Sequence, residues 1–243
     1  MIDIHCHILF GSDDGADSIA ESVEMAKLAY SGGTKKIIAT PHTNVPDSYK
    51  NLWDENFENK VRQLNSALEE AGCPLTAYPG QEVFCSRNFI QLLNEGKLIT
   101  LNHSRYLLVE FGFYETSSTV YEKVQRLRAE GIVPIVSHPE RYAFVSEDDT
   151  AAHKLKTLGC LLQVNKGSLS GDFGRRAYKA AKLIMRNNDA DFVASDAHSP
   201  YVRTPYLERV YKYVAERYSI DYAEWLFSSN PACVLNDKTI VSF

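Results

Sequence analysis

The chain has 243 residues, 44% of them hydrophobic and 23% charged, which suits one domain over residues 1–243 with a full core and is too short for two of ordinary size. Lys plus Arg number 26 against 31 for Asp plus Glu, a formal charge of −5, and that balance argues against a general nucleic-acid binder, which needs a basic face. No apolar run reaches the roughly 18 residues of a membrane span, and Met1-Ile2-Asp3-Ile4-His5 lacks the basic and apolar regions of a secretion signal.

In chain order, Ile2–His7 reads as a buried strand in which His5 and His7, two apart, share a face while Cys6 points opposite. A Gly11-Ser12-Asp13-Asp14-Gly15 loop follows; Asp14 is a candidate metal ligand or outer base, and Asp13 reads as a helix-start residue. After a helical pattern at Ser18–Ser31, the run Lys36–Pro41 ends in Thr40-Pro41-His42. Glu55–Ala71 places Phe57, Val61, Leu64 and Leu68 at helical spacing. The run Leu75–Val83 ends near Gln81-Glu82, and Tyr106–Phe111 holds Glu110 inside apolar residues. A helix over Val120–Glu130 precedes the run Ile132–His138, which leads into Ser137-His138-Pro139-Glu140-Arg141. Thr150–Leu158 reads as a helix, and Cys160–Val164 as a strand ending around Asn165 without a His or carboxylate. A helix at Arg175–Arg186 comes before the last run, Phe192–His198, which ends in Ser195-Asp196-Ala197-His198; Pro205–Phe227 supplies one or two closing helices.

Strand and helix alternate, which implies parallel strands with right-handed crossovers. The expected architecture is α/β, a distorted (β/α)7 barrel, with an open doubly wound sheet as the alternative. In either, the C-terminal strand ends converge, so His5, His7, His42, Glu82, Glu110, His138, Asp196 and His198 meet. One such residue alone is more simply a hydrogen-bonded core His or a salt-bridged Glu. That reading is poor for nearly every strand end at once, because breaking a buried charge pair costs about 3–5 kcal/mol. Divalent cations supply the missing positive charge. His and carboxylate without Cys suits Mn, Fe, Zn or Co, and with Asp14 the set exceeds what one ion needs. Two or three ions are expected, with Glu82 bridging. Such metals serve phosphoryl-oxygen chemistry, lowering the pKa of water to about 7. Arg141 and Arg203 lie beside proposed ligands and suit bidentate phosphate binding, although either alone is as readily a surface ion pair.

His5-x-His7, Pro41-His42, Glu82, His138-Pro139 and Asp196-x-His198 resemble the polymerase and histidinol phosphatase (PHP) superfamily. Asp3-Ile4-His5-Cys6-His7, Asp13-Asp14-Gly15-Ala16, Ala39-Thr40-Pro41-His42, His138-Pro139-Glu140-Arg141-Tyr142 and Ser195-Asp196-Ala197-His198 are similar to the bacterial capsule and exopolysaccharide tyrosine-protein phosphatases of the CpsB/CapC type, in order from residue 3 to about residue 203. The resemblance implies a distorted seven-stranded barrel and a three-metal site, manganese first, with iron, zinc, magnesium or cobalt as alternatives. It implies one metal on His5, His7, Glu82 and Asp196, a second on Glu82, Glu110 and His138, and a third on Asp14, His42 and His198, with Arg141 and Arg203 at the phosphate. The implied partner is a phosphotyrosine protein, an autophosphorylating bacterial tyrosine kinase of capsule synthesis, in the cytoplasm. The sequence departs from the family at Cys6, where Ser is more usual, and at Phe10-Gly11-Ser12, where Pro-Gly-Ile is usual.

Competing chemistries fare worse. A cysteine-dependent phosphatase needs Arg six residues after Cys; after Cys6, Cys73, Cys85, Cys160 and Cys233 that place holds Ser12, Pro79, Gln91, Lys166 and Thr239. These widely spaced cysteines, with no C-x-x-C, fit unreactive thiols in a reducing compartment. Asp189-Ala190-Asp191 precedes a strand, whereas an aspartyl nucleophile follows one, so it reads as a turn. Neither a P-loop nor G-x-S-x-G is present. Histidinol phosphate phosphatase is the nearest rival, an amidohydrolase would want Lys where Glu110 stands, and a non-catalytic metal-binding partner module is the rival of another class. The expected reaction is in-line attack of a metal-activated hydroxide on phosphotyrosine, without a phosphoenzyme. His103 and His153 read as surface residues, His153 on a helix.

Overall fold

Parallel pairing dominates the computed structural model, which describes residues 1–241. The strands are β1 (Ile2–Cys6), β2 (Lys36–Ala39), β3 (His42–Thr43), β4 (Thr76–Pro79), β5 (Glu82–Phe84), β6 (Tyr106–Glu110), β7 (Val133–Ser137), β8 (Leu161–Asn165) and β9 (Phe192–Ala194). They form two sheets, β1-β2-β4 and β3-β5-β6-β7-β8-β9. The α/β class with parallel strands is as the alternation predicts, but the seven runs become nine strands in two sheets instead of one seven-stranded barrel.

The difference has a local cause. The second and third runs break at the same level, at Thr40-Pro41 and Gly80-Gln81. Pro41 has no N–H for a ladder. At Gly80 an added Cβ would sit 2.6 Å from Ile38 Cγ2 and 2.9 Å from Leu101 Cδ2, so only glycine lets the backbone dip this close. The chain resumes with His42 paired to Glu82. Backbone bonds bridge the sheets: Thr40 N–H donates to Cys6 O (2.9 Å) and Glu82 N–H to Pro41 O (3.2 Å). Beyond β9, Asp196 N–H donates to His5 O and His7 N–H to Ala197 O, both 2.9 Å, laying that segment along β1.

The helices are α1 (Ile19–Ser31), α2 (Glu55–Glu70), α3 (Phe89–Asn94), α4 (Ser117–Ala129), α5 (Ala143–Glu147), α6 (Ala151–Thr157), α7 (Lys166–Ser170), α8 (Gly174–Arg186), α9 (Glu208–Arg217), α10 (Ile220–Glu224) and α11 (Asn230–Leu235), with a π-helical turn at Trp225–Ser229. Ser18, Asp54 and Thr116 cap α1, α2 and α4 by accepting from Glu21, Phe57 and Thr119 N–H. In α2 the buried residues are Phe57, Val61, Leu64 and Leu68, the stripe its spacing predicts. The closing helices run on to Leu235. Short α3, α5 and α7 are too brief to show a period and were not anticipated from sequence. Asp189-Ala190-Asp191 is the expected turn: Asp191 pairs with Lys156 and accepts from Leu162 N–H (2.8 Å), at the entry to β9. No helix among the described residues is long and apolar enough to cross a membrane.

Alternate side chains sort onto two faces. Leu107, Val109, Val136, Leu162, Val164 and Val193 pack beneath helices, while Ile4, Ile38, Leu108, Ile135, Phe192 and Ala194 form a separate inner cluster. Glu110 follows Tyr106 and Leu108 on the inner face, so the apolar cluster becomes the floor of a polar site. β1 changes phase: Asp3 pairs with Ile37 and Cys6 with Ala39, an extra residue on β1. This bulge lets Ile4 join the floor while His5, its neighbour, also faces inward. Gly80→Ala is expected to lower unfolding stability by about 1–3 kcal/mol through overpacking against Ile38 and Leu101. A urea midpoint equal to that of the unsubstituted protein would show that packing does not fix the break.

Candidate metal centre

The bulge aims His5 and His7 into a space enclosed by Glu82, Glu110, His138, Asp196 and His198. Each of the first two rings is fixed from behind. His5 Nδ1 lies 2.7 Å from Gln163 Oε1, and His7 Nδ1 lies 2.6 Å from Asp13 Oδ2. With Nδ1 donating, both Nε2 lone pairs face inward, only 3.1 Å apart. His5 Nε2 is 3.3 Å from Glu82 Oε2 and 3.4 Å from Asp196 Oδ1; His7 Nε2 is 3.5 and 3.3 Å from the same atoms.

The other side chains extend this cluster. His42 places Nδ1 3.0 Å from Glu82 Oε2 and 3.6 Å from Glu110 Oε2. His138 Nε2 lies 3.1 Å from Glu82 Oε1 and 3.6 Å from Glu110 Oε1. Asp14 Oδ1 stands 3.7 Å from His42 Nε2 and 3.6 Å from His198 Nε2. Ligand atoms of His7, Asp14, His42 and His198 lie within 4.8 Å of one another, as do those of His5, His7 and Asp196 and those of His42, Glu82 and Glu110. The structure thus brings every candidate ligand to one place, with His42 and His7 each standing between groups that the family resemblance separates by metal.

These residues fit a set of divalent cations on chemical grounds. Glu82 Oε2, His42 Nδ1 and His198 Nε2 are buried without a hydrogen-bond partner, and the donors are carboxylate oxygens and imidazole nitrogens. Lone pairs converge on lone pairs, an arrangement stabilised by cations or by shared protons. Proton affinities record the strain. Burial lowers the His5 imidazole, but Glu82 and Asp196 outweigh it and hold it at about 9. Burial likewise opposes Glu82 and Glu110 at His42, which ends at about 10. Burial raises the Glu82 and Asp196 carboxyls, yet the imidazoles around them pull both well below the usual carboxylate range. Burial and the Glu82 charge push Glu110 up to about 8, and burial with the His7 charge pushes His198 down.

Backbone strain collects at the same place. His138, Asp196 and Arg203 have φ of 34°, 49° and 51°, left-handed values that cost non-glycine residues about 1–3 kcal/mol each. Gly15 passes so close to β1 that an added Cβ would lie 2.0 Å from His7 O.

Several supporting residues escaped the sequence reading. Asp13 is no helix-start residue, since α1 begins six residues later at Ile19 with Ser18 as its cap. Its buried carboxylate accepts from His7 and from His42 N–H (2.7 Å) through Oδ2, and from Gly15 N–H (3.0 Å) through Oδ1. Asp14, half exposed, reaches the imidazoles instead. β8, the run without a His or carboxylate, supplies amides: Asn165 Nδ2 donates to Asp196 Oδ2, and Gln163 Nε2 to Asn165 Oδ1 (2.9 Å). Buried Glu140 accepts from Asn165 N–H at 2.9 Å and holds that strand end. The available signal was Gln163 and Asn165 at i, i+2 on a buried strand. Cys6 packs with Ile8, Met25 and Ala26, away from the imidazoles. His103 and His153 are exposed; His103 approaches Glu58 at 3.4 Å, and His153, on α6, meets Asp189 at 2.9 Å.

The arginines are not free surface groups. Arg203 Nη2 lies 2.6 Å and Arg141 Nη1 3.6 Å from Asp196 Oδ2. The Arg141 guanidinium is sandwiched between Phe113 and Phe173, 4.7 and 4.5 Å from their ring centres. Beside them opens a cavity of about 250 Å³ lined by Phe113, Tyr114, Arg141, Phe173 and Arg176.

Comparison with known proteins gives a consistent picture. The chain matches the family described as capsular polysaccharide synthesis, CpsB/CapC, over residues 1–236. It is 35% identical over 240 residues to the tyrosine-protein phosphatase YwqE of Bacillus subtilis (strain 168), covering 99% of this chain and 93% of that protein. With the tyrosine-protein phosphatase CpsB of Streptococcus pneumoniae it shares 29% identity over 245 residues, 99% of this chain and 100% of that one. Its fold matches a crystal structure from the pair YwqE of Bacillus subtilis and CpsB of Streptococcus pneumoniae, described as unique metal-dependent tyrosine phosphatases, with a TM-score of 0.93 and 33% identity over 100% of this chain and 97% of that chain.

The raised imidazoles have a sign that can be tested. Their folded values exceed the unfolded value of about 6.5, so their contribution to stability is complete below that pH and lost as pH rises through about 9 for His5 and about 10 for His42. Chelated protein is therefore expected to lose thermal stability across that window. Manganese added at about pH 7.5 should displace protons, seen as a calorimetric heat that changes with the ionisation enthalpy of the buffer. Heat independent of the buffer would contradict protonated imidazoles in the free cluster.

Proposed function

The chain belongs to the CpsB/CapC family of capsular polysaccharide synthesis, and from that premise we infer that it is a metal-dependent protein-tyrosine phosphatase and propose how its residues act. The observation that carries the reading is the convergence of buried imidazoles and carboxylates from successive strand ends upon a point faced by two arginines. We assign two or three divalent ions, manganese first, to His5, His7 and Asp196, to Glu82, Glu110 and His138, and to Asp14, His42 and His198, with Glu82 shared. Cations held there lower the pKa of a water nucleophile and neutralise phosphoryl charge.

The remaining work falls to the protein. Arg141 and Arg203 offer guanidinium N–H groups to the phosphoryl oxygens and stabilise the charge that builds on them. Phe113 and Phe173 fix the Arg141 plane and present ring faces to an aromatic substrate. Gln163 and Asp13 hold the His5 and His7 tautomers that direct Nε2 inward. No thiol serves as nucleophile: Cys6 lies between the histidines in sequence but in the apolar layer in space, and burial keeps it protonated. In this reading water attacks the phosphorus directly, without a phosphoenzyme. A phenolate is a good enough leaving group to depart without a dedicated acid. The substrate we assign is a phosphotyrosine protein, a bacterial tyrosine kinase of capsule synthesis, met in the cytoplasm.

Hydrolysis of a phosphotyrosine peptide with manganese should exceed that of histidinol phosphate and stop in chelator; the reverse preference would give the protein to small phosphoesters. Full activity in chelator, or isotope exchange revealing a covalent intermediate, would overturn the mechanism. Removing a proposed ligand, His42→Ala or Asp196→Ala, should lower kcat/KM by about 100-fold or more. Gln163→Ala or Asp13→Asn should cost about 10- to 100-fold in activity or metal affinity. Cys6→Ser should retain most activity; an inactive variant would place the thiol in the chemistry.

A further inference from the structure

α8 has the sequence GRRAYKAAKLIMR, with five cations and no acidic residue, in a chain whose net charge is −5. Arg175, Lys179, Lys182 and Arg186 are spaced i, i+4, i+7 and i+11. At 3.6 residues per turn they fall on one stripe roughly 16 Å long. Among the described residues none of them, nor Arg176, is in an ion pair. Like charges at i, i+4 repel, so the stripe costs α8 stability that a bound anion would offset.

The stripe has both a beginning and an end. At its start, Arg176 lines the same cavity as Arg141, where the N-terminal turn of α8 packs on the segment Pro139–Arg141. Toward its end, Lys179, Lys182 and Arg186 line a groove of about 480 Å³, joined by Arg217 of α9 and walled by Tyr178 and Tyr218. A concave groove with cationic walls and tyrosine rings, on the helix whose first turn lines the cavity at Arg141, suits an extended acidic chain.

We propose that the α8 stripe is a substrate-docking surface for an acidic segment adjoining the phosphotyrosine, which enters past Arg176 and runs along Lys179, Lys182 and Arg186 toward Arg217. This rests on the phosphatase reading given above. An extended chain rises about 3.3 Å per residue, so the stripe spans roughly five residues of the segment. Docking adds affinity for acidic phosphoproteins and leaves the reaction at the centre unchanged. Charge complementarity favours a peptide; the groove's concavity distinguishes it from a flat anionic membrane.

The test compares the protein with the triple variant Lys179→Glu, Lys182→Glu and Arg186→Glu, all with manganese. Three substrates are used: p-nitrophenyl phosphate, a phosphotyrosine peptide flanked by glutamates, and the same peptide flanked by alanines. The variant should lose about tenfold or more in kcat/KM on the acidic peptide, carried by KM, with p-nitrophenyl phosphate and the neutral peptide unaffected. Raising salt should weaken the acidic peptide alone. The milder Lys179→Gln, Lys182→Gln and Arg186→Gln variant should show the same selectivity with a smaller loss.

Equal losses on all three substrates, or no loss on the acidic peptide, would overturn the docking surface. So would selective loss of binding to phosphatidylglycerol vesicles with peptide turnover unchanged, which would make the stripe a membrane contact. If the unsubstituted protein hydrolyses none of the substrates, the phosphatase reading fails by itself. The stripe is then judged by fluorescence anisotropy of the unphosphorylated acidic peptide, where loss of binding in the triple variant supports it and unchanged binding overturns it.

Discussion

Lone pairs pointed at lone pairs are the constraint around which this molecule is built. Glu82, Asp196 and the inward nitrogens of His5, His7 and His42 stand 3.0–3.5 Å apart in a buried space. Without positive charge among them, the arrangement would be expelled to solvent or protonated until it relaxed. Everything nearby keeps it from relaxing. Asp13 and Gln163 lock two rings from behind, Asn165 tethers Asp196, Glu140 holds the end of β8, and three residues accept left-handed backbone angles. An apolar floor of Ile4, Ile38, Leu108, Ile135 and Phe192 closes the site from below. Preorganisation of this kind costs stability at the site and is balanced by the well-packed layers beneath the helices.

The residues of the site fall into two classes of legibility. His5, His7, His42, Glu82, Glu110, His138, Asp196 and His198 stand out in the sequence because ionisable groups are rare at the ends of apolar runs, and the parallel α/β pattern says that such ends meet. Gln163 and Asn165 do not stand out, because an amide inside a strand looks like any buried polar residue until its partner is known. Asp13 is harder still. Its neighbour Asp14 carries the same side chain, and only the path of the loop decides which of the two holds the His7 ring from behind and which reaches His42 and His198.

The fold shows the same division. The long amphipathic helices declare themselves by period, as α2 does through Phe57, Val61, Leu64 and Leu68. The division into two sheets does not, since the runs through Thr40-Pro41 and Pro79-Gly80 keep their apolar character across the break. Whether a proline there ends a strand or merely sits at its edge depends on the approach of Ile38 and Leu101, which are distant in sequence from Gly80.

The bulge in β1 has a consequence for how this strand tolerates change. Below it, even-numbered Ile2 and Ile4 belong to the floor; above it, odd-numbered His5 and His7 belong to the centre. The strand therefore carries two reading frames joined at one inserted residue. Deleting Ile4 would restore simple alternation with His5 and His7 still facing the centre, whereas pulling the strand straight with every residue kept would turn both histidines into the layer now filled by Cys6. In that second register the centre would be lost without the exchange of a single ligand.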